Sequence, residues 1–199
     1  MSIKEWTKAL TEDGLTIGLD GNFIPCRAEL ISPQSDWENI WRLCRLEGID
    51  SVLASFNFKL LHGLLITKKG LQRLSIESLS SCNLCSQDTE DTLEHSIIDC
   101  NFNNGIGATA LQIARVFSPD VSPEALLRLE FSDVSEELEL PLVTFTSTIF
   151  HVIWEKRFCS VKPTLFEVRC QLEARCQILR ETRFSTSVDQ LSEMIRMLQ

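Results

Sequence analysis

The sequence predicts an all-α protein, an irregular array of helices. Two observations carry that prediction. Apolar residues recur at helical spacing through most of the 199 residues, and helix start signals such as Ser122-Pro123-Glu124 precede several of those stretches. With 44% apolar residues, the chain can bury one sizeable core, or two small ones that share a boundary.

Taken in order, Ser2-Ile3-Lys4-Glu5 has the form of a capping box and predicts a short helix to about Thr11. Asp13 to Gln34 holds Gly14, Gly18, Gly21, Pro25 and Pro33 without a sustained period, and reads as a connector. From Ser35, Trp37, Ile40, Trp41 and Cys44 repeat at helical spacing, with Gly48 placed to cap the end. A second helix from about Asp50 carries Leu53, Phe56, Leu60 and Leu64 on one stripe. A third, short one begins at Thr67 and buries Leu71 and Leu74, with Lys69 and Arg73 on its other side.

Beyond position 105, Ile106 to Phe117 predicts a helix, and Ser122 with Pro123 opens the next, since Ser suits the cap and Pro the first helical position. Leu142, Phe145, Ile149, Val152 and Ile153 mark a long helix. Pro163 opens another, in which Leu165, Val168, Leu172 and Leu179 repeat at near-heptad intervals, a stripe able to dock a partner helix but more simply read as core. Val188 to Leu198 closes the chain as a terminal helix. The organisation is then 1–35, helix and connector; 36–105, a cysteine-bearing domain; and 106–199, a C-terminal helical region.

Chemistry concentrates in Cys82-Asn83-Leu84-Cys85, His95 and Cys100. Two cysteines separated by two residues can aim both sulfurs at one point from a tight turn, and thiolates with an imidazole are the ligands tetrahedral zinc prefers. Asp91 and Thr92 can start a helix that carries His95. On a continuing helix Cys100 would lie about 140° from His95, so the helix must end near Ile98 or Asp99, and Asn101, Asn103, Asn104 and Gly105 suit the reversal. Three thiolates and a neutral imidazole leave no open position, so the zinc is structural rather than catalytic. Asp88, Glu90, Asp91 and Glu94 nearby read as a solvated acidic face. Cys159, Cys170 and Cys176 read as packed helix residues, and five cysteines outside the quartet argue against a complete disulfide framework.

The order Trp37-x3-Trp41, Phe56-x-Phe58-Lys59-Leu60-x-His62-Gly63-x-Leu65-x-Thr67, Leu71, Cys82-x2-Cys85 and Thr92-Leu93-Glu94-His95-x4-Cys100 resembles the zinc-binding domain downstream of the polymerase in non-LTR retrotransposons. The match covers about residues 36 to 104, a third of the chain. The family often has Glu-Thr before the His and a large apolar residue after it, where this chain has Asp91-Thr92 and Ser96. The resemblance implies a nucleic-acid-binding piece of a reverse transcriptase polyprotein.

The polymerase itself is missing from this chain: there is no tyrosine and no adjacent Asp pair to hold magnesium. A phosphate loop ending in Gly-Lys-Ser/Thr and a His-Glu-x-x-His pair are also absent, so the reading is non-enzymatic. A net charge of −9 argues against global attraction to DNA or RNA. Yet residues 51 to 76 carry Lys59, Lys68, Lys69 and Arg73 and no acid, a local basic face for DNA or RNA beside the zinc. The other reading is a helical protein-interaction or structural module that zinc merely stabilises. No stretch has the roughly 18 to 20 apolar residues of a membrane span, and Lys4, Glu5 and Lys8 interrupt any signal peptide, so the protein reads as intracellular, nuclear or cytoplasmic.

Overall fold

The computed structural model describes residues 35–198, apart from 74, 75, 77, 86 and 183, and only the backbone of 73 and 185. The predicted helix near Ser2 to Thr11 and the connector from Asp13 to Gln34 lie outside the described residues, as does Leu74. The fold is helical, and among the described residues the one β pairing is an isolated antiparallel bridge between Ser81 and Glu90.

Helix α1, Trp37–Leu43, starts where the Asp36 carboxylate accepts the Asn39 amide at 3.0 Å, and buries Ile40 and Leu43. It stops before Cys44, and Gly48 does not cap it. Gly48 instead takes φ +101° in the turn that leads to Asp50, where a Cβ would meet Leu140 Cδ2 at 2.9 Å.

Helix α2, Ser51–Leu61, is capped by Asp50, which accepts the Val52 and Leu53 amides at 2.9 Å and receives Arg175 Nε on its other oxygen at 2.9 Å. It ends in a Schellman motif: Leu64 N donates to Lys59 O, Gly63 N donates to Leu60 O, and Gly63 takes φ +61°. Leu64 therefore lies past the helix rather than on its stripe. The buried His62 ring packs between Trp41, 4.9 Å away, and Phe58, 4.2 Å away, and burial lowers its pKa.

Helix α3, Lys68–Arg73, begins at Thr67, whose hydroxyl accepts the Gly70 amide. Helices α4, Ile106–Phe117, and α5, Pro123–Leu127, follow the predicted boundaries, and Ser122 accepts the Ala125 amide at 3.1 Å. Helix α6, Glu136–Phe158, is the axis of the fold. Every residue from Leu140 to Phe150 is buried, so the helix is apolar or hydroxylated all round, as a central helix must be. It packs against α1, α2, α4 and the two helices that follow it.

Helix α7, Leu165–Arg180, starts two residues later than the proline signal suggested, because Thr164 and Glu167 form a reciprocal capping box. Its stripe of Val168, Leu172, Cys176 and Leu179 is buried within this chain, where α6 and α8, Ser185–Arg196, pack on the helix. Those side chains are core, and only Leu165 of the stripe is exposed. One apolar core runs from Ile40 to Leu198, crossing position 105 without interruption, since Ile97 and Ile98 pack in it with Ile106 and Ala110. No described helix is long and apolar enough to cross a membrane.

Candidate metal centre

Backbone pairing brings the two halves of the cysteine region together. Cys82 N donates to Thr89 O at 2.9 Å and Asp91 N to Ser80 O at 2.7 Å, closing a hairpin-like loop that folds Cys82 and Cys85 back toward the residues after Asp91. There the Thr92 hydroxyl accepts the His95 amide at 3.1 Å and starts a helical turn.

That turn then widens. His95–Asp99 is a π turn, and Cys100 N donates to His95 O at 2.8 Å across five residues. The helix does end at Asp99, but it is the wide turn that sets Cys100 beside His95, in place of the 140° offset of an α-helix. Cys100 leaves it in an extended conformation, and Asn101–Asn103, a 3-10 turn, leads to Asn104 at φ +53° and Gly105 at φ +74°.

Asn103 supports this wide turn in a way that composition alone did not single out. Fully buried, its Nδ2 donates to the carbonyls of Ser96 at 2.8 Å and Ile97 at 3.1 Å, two acceptors that the end of the helix leaves open. In Asn103→Ala both carbonyls stay buried without a donor, so the protein is expected to lose about 2 to 4 kcal/mol of stability in urea denaturation. A loss under about 0.5 kcal/mol would mean that water reaches them.

The four ligand atoms of Cys82, Cys85, His95 and Cys100 lie within 4.8 Å of one another. Cys82 Sγ is 3.9 Å from Cys100 Sγ, and Cys85 Sγ is 3.4 Å from His95 Nε2. Tetrahedral zinc with bonds of about 2.3 Å to sulfur and about 2.0 Å to nitrogen requires edges of about 3.8 and 3.5 Å, so the donor set fits the ion. A disulfide needs about 2.05 Å between sulfurs, and Cys82, Cys85 and Cys100 are free thiols. His95 Nδ1 faces the Thr89 hydroxyl at 3.5 Å, leaving Nε2 for the metal. Cys82, His95 and Cys100 are buried and Cys85 is half-buried, so the four donors gather around one point.

Electrostatics also favour a cation. Burial raises the Cys82 thiol, but the amides of Leu84 and Cys85, with Arg157 and His95, outweigh it and leave the pKa below the usual range. Burial pushes Cys100 up, and the neighbouring Cys82 sulfur adds to this against the Phe102 amide. One thiolate therefore opposes the next, and a divalent ion is what allows them to ionise together.

Of the acidic residues expected on a solvated face, Asp91 is an exception. It is buried, with an ion pair to Arg157, bonds from Ser96 Oγ and Lys68 N at 2.8 Å each, and no freedom to face water. Cys159 and Cys170 also differ from expectation. Both are exposed, because one caps the end of α6 and the other lies on the outer side of α7, whereas Cys176 is packed.

Of the four basic residues, Lys59 lies on α2 and Lys68, Lys69 and Arg73 on α3. Lys59 is exposed on the last turn of α2, beside a cleft of about 380 Å³ lined by Phe56, His151 and Trp154. Lys68 is half-buried, and the Lys69 ammonium contacts Glu90 at 2.5 Å, so the hairpin brings acid to a segment that has none of its own. Of Arg73 only the backbone is described. Trp154 of α6 borders both this cleft and a second of about 190 Å³ with Ile66, Leu84 and Phe158. No family model matches the chain, and no curated protein or solved structure compared with it does either.

Proposed function

We propose that this chain is a non-catalytic module folded around a structural zinc ion, that it binds nucleic acid, and that it derives from the C-terminal part of a retrotransposon reverse transcriptase. The observation that carries the reading is the closed Cys82, Cys85, His95 and Cys100 cluster, whose edges suit tetrahedral zinc. The chemistry is architectural: the ion joins the hairpin to the π turn. The sequence order shared with the retrotransposon domain supports the origin, and nucleic acid is the ligand that resemblance implies.

The surface beside the centre favours single strands. Trp154 separates the two clefts, Phe158 is 82% exposed, and Lys59 stands at the rim, so unpaired bases have aromatic faces to stack on and a cation for a phosphate. Lys59 is a stronger candidate contact than Lys69, which Glu90 already holds.

Fluorescence anisotropy with labelled single-stranded RNA, single-stranded DNA and duplex DNA at low salt tests this. The expected result is binding to single strands that weakens with salt, and Lys59→Glu is expected to lower affinity about three- to tenfold and reduce the salt slope by about one. Absence of binding by the parent chain would favour the second reading, a protein-interaction module. That reading has its own support: Phe158, Val161, Leu165 and Phe166 are all exposed around the connection from α6 to α7, and the chain carries a net charge of −9.

A further inference from the structure

The most unusual group near the metal cluster comes from the far side of the sequence. Arg157 lies on the last turn of α6, and its side chain is only 8% exposed. Ser160 follows at φ +54°, and its amide and that of Val161 donate to Arg157 O and Lys156 O, so the helix is closed just beyond it. Lys156 turns the other way, to Glu167.

The guanidinium reaches two sulfurs at once. Nη2 is 3.6 Å from Cys82 Sγ and Nη1 is 3.8 Å from Cys100 Sγ, while Nη2 also pairs with Asp91. A buried ion pair alone would explain Arg157 and Asp91 but not the fork spanning both thiols. Three thiolates, one neutral imidazole and one divalent ion sum to about −1, a charge that is costly to bury without a partner.

We propose that Arg157 is the built-in counter-cation of the metal centre, donating to the Cys82 and Cys100 thiolates. It thereby holds the ion site to the central helix. Arginine suits the task because its planar fork offers several donors in fixed directions and stays charged. Asp91 pairs with that fork and ties it to the start of α3 through Lys68 N. The inference rests on the metal reading above.

The two ends of the ion pair separate this role from a purely structural one. Zinc affinity is measured by chelator competition on the full chain, and Co²⁺ substitution reports the sulfur-to-metal charge-transfer band. Arg157→Met is expected to lose at least about tenfold in zinc affinity and to shift that band to lower energy, because the sulfurs lose their donors. Asp91→Asn breaks the same pair from the other end and leaves the donors in place. It is expected to lower stability while changing zinc affinity less than about threefold and leaving the band where it was.

Equal losses from both substitutions, or no loss from Arg157→Met, would overturn the proposal. Where Arg157→Met does not fold, Arg157→Lys serves, since one ammonium cannot span both sulfurs. Its band is expected below that of the parent, and an unchanged band overturns the proposal. A parent chain that takes up neither zinc nor cobalt would overturn the metal reading and this inference together, whereas a metal-loaded parent with indifferent Arg157 variants would overturn this inference alone.

Discussion

Cys82→Ser is expected to release the metal and free the hairpin from the rest of the protein. Structural zinc sites bind with about 10 to 16 kcal/mol, so one ligand of four accounts for roughly 3 kcal/mol, and affinity falls at least about a hundredfold. The loss should be local. Cys82, Cys85 and Cys100 form a small apolar cluster of their own with Leu84 and Phe102, whereas Leu93, Ile97 and Ile98 belong to the main core. Hydrogen exchange should therefore rise most at positions 80–90, less in the π turn, and little in α6. His95→Ala is expected to release the ion equally. Its turn stays anchored by Ile97 and Ile98, so the exchange pattern should again be strongest in the hairpin. Uniform unfolding of the whole chain would show that the core depends on the metal directly.

Gly107→Ala is expected to destabilise the protein by about 1 to 3 kcal/mol, and the sign is the informative part. Gly107 is the second residue of α4, and in an exposed helix Ala in place of Gly stabilises by about 0.5 to 1 kcal/mol. Here a Cβ would lie 1.9 Å from the Ile97 carbonyl oxygen and 2.7 Å from Ile98 Cα. Both are backbone atoms, so no rotamer change relieves the contact. The π turn must move, and with it His95. Thermal denaturation with and without chelator should show a lower midpoint and a weaker metal dependence. A midpoint at or above that of the parent would mean that α4 does not press on the turn.

Much of the helical architecture was legible because caps are local. Asp50, Thr67 and Ser122 each act where a side chain and an amide two or three residues away suffice. The ligand quartet was legible for the same reason, since thiolate and imidazole spacing is written in the chain. Three features were not.

The π turn at His95–Asp99 has no distinct apolar period over five residues, so only the need to bring Cys100 beside His95 hinted at it. Asp91 looked like one member of an acidic run, and its inward orientation depends on Arg157, 66 positions away. The basic face from Lys59 to Arg73 contained no acid in sequence, yet a hairpin placed Glu90 against Lys69. Charge patterns read along one segment do not register charges that another segment delivers.

The proposed role of the Cys82, Cys85, His95 and Cys100 cluster is to hold one structural zinc ion. Mass spectrometry of the purified chain under native and denaturing conditions tests it most directly. The expected result is a native mass higher by one zinc ion per chain, lost on denaturation or in Cys82→Ser. A fully folded native chain at its metal-free mass would contradict it.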